Sequence, residues 1–117
     1  MARFIRVRAT FLDDVTGAPL HGAHYHARLY DQDVLRDDFL GDAPLSPRGT
    51  VEVLFASSSV RSRDSPSETQ PDLYLVLYEG THVRFRTTVQ VDVDLPEPNP
   101  GVSEGAARLD LGVFRVR

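Results

Sequence analysis

Ile5-Arg6-Val7-Arg8-Ala9-Thr10-Phe11 alternates apolar and polar side chains without a break. Successive side chains of a β-strand point to opposite faces, so a period of two sets Ile5, Val7, Ala9 and Phe11 inward and Arg6, Arg8 and Thr10 outward. The same rhythm recurs along the chain. Ala23, Tyr25, Ala27 and Leu29 alternate with His24, His26, Arg28 and Tyr30; Val51, Val53 and Phe55 with Thr50, Glu52 and Leu54. From His82 to Val91, Val83, Phe85, Thr87, Val89 and Val91 face away from Arg84, Arg86, Thr88 and Gln90, and Leu109 to Val116 supplies a last strand. Leu73-Tyr74-Leu75-Val76-Leu77-Tyr78 is apolar on both faces, as suits a central strand covered on each side. No stripe of period 3.6 runs through the chain, so the predicted class is all-β.

The segments between these runs carry turn chemistry. Asp13-Asp14-Val15-Thr16-Gly17-Ala18-Pro19 combines acidic side chains that bond nearby backbone, a glycine for positive φ and a proline with fixed φ. Ala43 to Gly49 is rich in turn residues, and Glu79-Gly80 closes a hairpin. Ala56 to Thr69 has no apolar rhythm, and Leu95-Pro96-Glu97-Pro98-Asn99-Pro100-Gly101 is too proline-rich for a central ladder. Together these signals predict an antiparallel two-sheet β-sandwich of about seven strands, one domain spanning residues 1–117.

A chain of 117 residues can bury a core without staples, and it contains no cysteine, which excludes disulfides, thiolate metal sites and thiol nucleophiles. The formal net charge of −4 argues against sequence-independent nucleic-acid binding, which needs a basic face. Every basic residue is arginine. The start has arginines where a secretory signal needs an unbroken apolar run, and no later segment approaches spanning length, so the expected location is cytoplasmic, or the chain is a piece of something larger.

Between the run ending at Tyr30 and the turn-rich segment lies an acidic stretch, Asp31-Gln32-Asp33-Val34-Leu35-Arg36-Asp37-Asp38-Phe39-Leu40-Gly41-Asp42, with five carboxylates in twelve residues. Two carboxylates ~4 Å apart repel by roughly 1 kcal/mol in water and about 4 kcal/mol at a partly buried site. Either the loop is splayed into solvent or a positive group sits in it. Asp31, Asp33, Asp37 and Asp38 are hard oxygen donors suited to Ca²⁺. An EF-hand is excluded, because Arg36 stands where its glycine belongs. The other reading is a solvated loop whose aspartates cap turns or pair with Arg28, Arg36 or Arg48.

His24 and His26, two apart on one face with His21 before them, could ligate zinc or copper, or be ordinary surface histidines. The serines between Ser57 and Ser67 stand on a poor support for a triad. Arg6 and Arg8 on one strand and Arg84 and Arg86 on another form a candidate guanidinium comb that could meet the acidic loop of a neighbouring copy.

Thr16-Gly17-Ala18-Pro19-Leu20-His21-Gly22-Ala23 resembles the "TG-x-PL-x-GA" opening of transthyretin-like and carboxypeptidase-regulatory-like domains. Asp33…Asp37-Asp38-Phe39-Leu40…Ser46-Pro47-Arg48-Gly49-Thr50-Val51 and Pro71-Asp72-Leu73-Tyr74-Leu75 are similar to the motifs that follow it in that family. This resemblance covers roughly Val7 to Tyr78 and implies a seven-stranded prealbumin-type sandwich, usually a non-catalytic module for binding, assembly or carriage. One branch, the hydroxyisourate hydrolase, ends in Tyr-Arg-Gly-Ser, which is absent from Val113-Phe114-Arg115-Val116-Arg117. Asp31-Gln32-Asp33…Arg36-Asp37-Asp38-Phe39-Leu40-Gly41 is similar to a calcium loop of C2 domains, which implies Ca²⁺-dependent docking on acidic lipid. The expected function is therefore a non-catalytic module that meets a protein partner or a second copy of itself, with Ca²⁺ as the candidate ion. The alternatives are a C2-like membrane-docking domain and a small hydrolase.

Overall fold

The computed structural model describes residues 4–33, 35–56, 71–90 and 107–117. Seven strands follow in chain order: β1 (Phe4–Asp13), β2 (Tyr25–Asp31), β3 (Asp38–Pro44), β4 (Thr50–Ala56), β5 (Leu73–Glu79), β6 (His82–Arg86) and β7 (Ala107–Val116). They form a three-stranded sheet ordered β4-β1-β7 and a four-stranded sheet ordered β3-β2-β5-β6. Every described pairing of these strands is antiparallel except β1 with β7, which run parallel. The two sheets pack face to face as the β-sandwich expected from the alternation. Among the described residues no helix is long and apolar enough to cross a membrane.

The period of two explains the core. Ile5, Val7, Ala9 and Phe11 of β1 and Val51, Val53 and Phe55 of β4 are buried against Tyr25, Ala27 and Leu29 of β2 and Leu73, Leu75 and Leu77 of β5. Phe11 is the keystone: its ring stacks on Phe114 at 5.7 Å and meets Phe85 edge-on at 6.3 Å. It thereby joins β1 and β7 of one sheet to β6 of the other.

Several local expectations are corrected. The stretch Asp38–Pro44, read as acidic loop and turn, is strand β3. A register shift between Leu29 and Tyr30 breaks its alternation, which hides the strand from a period count. Ala23 is exposed rather than inward, because β2 begins only at Tyr25. The alternation places Val83 on the core side, but a shift between Leu77 and Tyr78 pairs it with Tyr78, and it is more than half exposed. Beyond Arg86 the regular strand ends. Contact with β5 continues through Thr87 and Gln90, whose amides donate to the Leu75 and Leu73 carbonyls. The serine-rich segment 57–69, Val91 and the proline-rich segment 95–101 lie outside the described residues.

Candidate functional site

On the outer face of the four-stranded sheet, β2 presents His26, Arg28 and Tyr30, and register sets them beside Tyr78, Val76 and Tyr74 of β5. The matched register brings the rings into pairs. Tyr30 stacks on Tyr74 at 5.3 Å, His26 stacks on Tyr78 at 5.1 Å, and Phe39 of β3 meets Tyr30 at 5.8 Å. Between them lies the Arg28 guanidinium, its Cζ 5.2 Å from the Tyr78 ring and 5.7 Å from the Phe39 ring, while Arg86 from β6 sits 5.4 Å from the Tyr74 ring. Each such ring pair contributes about 0.5–1.5 kcal/mol, and the guanidinium groups are drawn to the negative faces of the rings.

This arrangement accounts for the double-sided apolarity of β5. No third layer covers Val76 among the described residues, yet it is only 2% exposed. Its register neighbours are Arg28 and Arg86, whose apolar stems flank it while their charged heads lie over rings.

Polar partners fix the geometry. Asp42 Oδ2 accepts from Arg28 Nε at 3.0 Å and lies 2.8 Å from His26 Nδ1, and His26 Nε2 is 3.2 Å from the Gly80 carbonyl. Hydrogen bonding to Tyr30, then to Asp42, holds the Arg28 guanidinium above its ordinary value, so it stays charged. Phe39 remains 56% exposed at one side of the face and Val83 is exposed near the other. The result is a sheet surface of rings and guanidinium groups with their edges in solvent.

The acidic stretch folds differently from an open loop. Asp31 continues the inward set of Tyr25, Ala27 and Leu29 and is only 7% exposed. Its Oδ1 accepts the Asp72 amide at 3.0 Å. Asp37 accepts from the Tyr74 hydroxyl and, at 3.2 Å, from the Asp33 amide. Asp38 lies opposite Asp31 in the β2–β3 ladder. Burial first, and Asp37 second, push the Tyr74 hydroxyl up to about 12, which keeps it a neutral donor. Asp31, Asp33, Asp37 and Asp38 are thus brought to one hairpin, but no three His, Asp or Glu side chains converge as a metal-ligand set among the described residues. His24 instead pairs with Glu79 at 3.4 Å, and His21 Nδ1 is 3.1 Å from the Pro19 carbonyl on an exposed turn.

Burial pushes the Asp31 carboxyl up from 3.8 to about 6. The folded state therefore holds this proton more tightly than the unfolded chain. Its contribution to stability is full below the unfolded value and is lost as pH rises through about 6. Asp31→Asn removes the titration while leaving an oxygen for the Asp72 amide. Between pH 4 and pH 7.5 the stability of the variant relative to the parent is expected to rise by about 2 kcal/mol, measured by urea unfolding.

The four arginines do not form one comb. Arg6 and Arg8 stand on the three-stranded sheet, where Arg6 Nη1 lies 3.8 Å from Glu52; Arg84 and Arg86 stand on the four-stranded sheet, where Arg84 Nε lies 3.7 Å from Glu79. Arg86 alone of the four joins the ring face.

No protein-family model and no curated protein matches the chain. A crystal structure of a 9R-lipoxygenase from Cyanothece PCC8801 is similar to it, with a TM-score of 0.52 and 19% identity over 98% of this chain and 16% of that one. At that identity the likeness is one of fold alone. Fold and site together define the class: a β-sandwich domain with an aromatic, arginine-bearing sheet face.

Proposed function

We propose that the chain is a non-catalytic, transthyretin-like β-sandwich module that binds a protein, another polypeptide or a second copy of itself, through the outer face of its four-stranded sheet. The observation that carries this reading is the Arg28 guanidinium held between Phe39 and Tyr78. Tyrosine and arginine are the residue types that dominate binding energy at protein interfaces, because each offers a large rigid surface with a polar edge. Locking the groups in place before contact reduces the ordering cost of association. The seven strands and the motifs from Val7 to Tyr78 support the transthyretin-like assignment. In this reading Asp31 and Asp37 serve the hairpin itself, through the Asp72 amide and the Tyr74 hydroxyl, in place of Ca²⁺ and the C2-like membrane docking it would mediate.

The double variant Phe39→Ser/Val83→Ser removes two exposed apolar side chains without touching the core. It is expected to unfold cooperatively, about 1–3 kcal/mol below the parent, because the Phe39 contacts with Tyr30 and Arg28 are lost. Association, read by sedimentation equilibrium for a second copy or by titration for another protein, is expected to weaken by at least about tenfold. Unchanged affinity in the folded variant would count against the face.

A further inference from the structure

Away from the ring face, the β3–β4 turn and the outer side of β1 and β4 enclose an open groove of about 410 Å³. Two guanidinium groups line it, Arg8 from β1 and Arg48 from the turn. Arg8 lies between two acidic register neighbours, Glu52 on β4 and Asp110 on β7. Neither forms an ion pair with Arg8 among the described residues. Glu52 pairs with Arg6 at 3.8 Å, and Asp110 Oδ1 accepts the Gly112 amide at 2.8 Å. Among the described residues neither Arg8 nor Arg48 has an ion-pair partner.

The turn that carries Arg48 is built to hold its shape. Ser46 Oγ accepts the amides of Arg48 and Thr50, each at 3.2 Å, and the Ser46 carbonyl accepts the Gly49 amide at 2.9 Å. Thr50 is tied to Thr10 on β1 by a hydroxyl contact of 3.2 Å. Arg48 thus extends from a fixed backbone at the groove that Arg8 also lines.

We propose that this groove binds a carboxylate, the acidic side chain of an extended peptide segment. A guanidinium presents paired N–H donors that match the two oxygens of a carboxylate, and two of them set around one concavity favour an anion there. Glu52 on the groove wall and the net charge of −4 select a singly charged group over a doubly charged phosphate. Ala43, Pro44 and Leu45 supply an apolar side for the methylene stem that carries the acid.

The test is calorimetric titration of the chain, at neutral pH and low salt, with acetyl-Ala-Ala-Glu-Ala-Ala-amide, its Gln-for-Glu counterpart and inorganic phosphate. Saturable binding of the Glu peptide is expected, at least about tenfold tighter than the Gln peptide and tighter than phosphate. Arg8→Gln/Arg48→Gln is expected to weaken it by about tenfold or more, whereas Arg36→Gln/Arg115→Gln, an equal loss of charge at exposed positions elsewhere, leaves it within about twofold. All variants are checked for cooperative unfolding. No saturation by the Glu peptide at millimolar concentration, equal loss in both double variants, or tighter binding of phosphate would overturn the proposal.

Discussion

Replacing Gly49 with alanine is expected to lower stability by about 3 kcal/mol or more, enough to bring the thermal midpoint down by about 10 °C. Gly49 adopts φ +75°, and a Cβ there would lie 2.5 Å from the Phe11 carbonyl oxygen, 3.1 Å from the Leu20 oxygen and 3.2 Å from the Leu20 nitrogen. All three are backbone atoms that cannot swing aside. They also belong to a knot of hydrogen bonds: the Phe11 amide donates to the Gly49 carbonyl at 2.8 Å, and the Leu20 amide to the Phe11 carbonyl at 3.0 Å. Relief of the clash therefore has to move β1, the turn after β3, or both. Gly17 provides the internal control, since it has the same φ of +75° with nothing within 4 Å of a Cβ. Gly17→Ala is expected to cost only the backbone conformational penalty of about 1 kcal/mol. Circular dichroism melts of the two variants separate the steric from the conformational part; equal melting points would mean that the approach of Gly49 to Phe11 is not tight.

Phe11→Ala is expected to cost about 3–5 kcal/mol, a large share of the roughly 6–17 kcal/mol available to a domain of this size. The side chain is fully buried and its ring touches those of Phe85 and Phe114. Truncation opens a cavity at the point where the two sheets meet, and a sheet-on-sheet core has little freedom to close it. Urea unfolding should show a lower midpoint with an unchanged slope. Phe39→Ala, on the exposed face, should cost about 1–2 kcal/mol by the same measurement, the loss of its contacts with Tyr30 and Arg28. A small loss at Phe11 would place the core elsewhere.

The strands that the sequence reveals are those whose alternation runs unbroken. β1, β2 and β4 bury Ile5, Tyr25, Val51 and their partners two residues apart, as expected. β3 escapes because the register shift after Leu29 offsets its pairing and Gly41 and Asp42 weaken its composition as a strand. Val83 changes faces for a similar reason at the Leu77/Tyr78 shift. Strand direction is not encoded in periodicity at all, so the parallel β1–β7 pair emerges only from the fold.

The ring face was half legible. Tyr74, Val76 and Tyr78 announced that the second side of β5 is covered, but which residues cover it depends on register with β2 and β6, a long-range property. In the acidic stretch two signals oppose each other: the alternation Tyr25, Ala27, Leu29 points Asp31 inward, whereas the density of carboxylates favours an outward loop. Arg6, Arg8, Arg84 and Arg86 share a residue type and a spacing, and only topology divides them between two sheets.

The most direct measurement is photo-crosslinking in the producing cell with benzoylphenylalanine in place of Phe39, compared with the same group in place of Val113, which is equally exposed but lies on the three-stranded sheet. A discrete protein adduct, whether with a second copy or with another polypeptide, is expected from position 39 and not from position 113. Adducts from position 113 alone, or none from either, would contradict a contact surface on the four-stranded sheet.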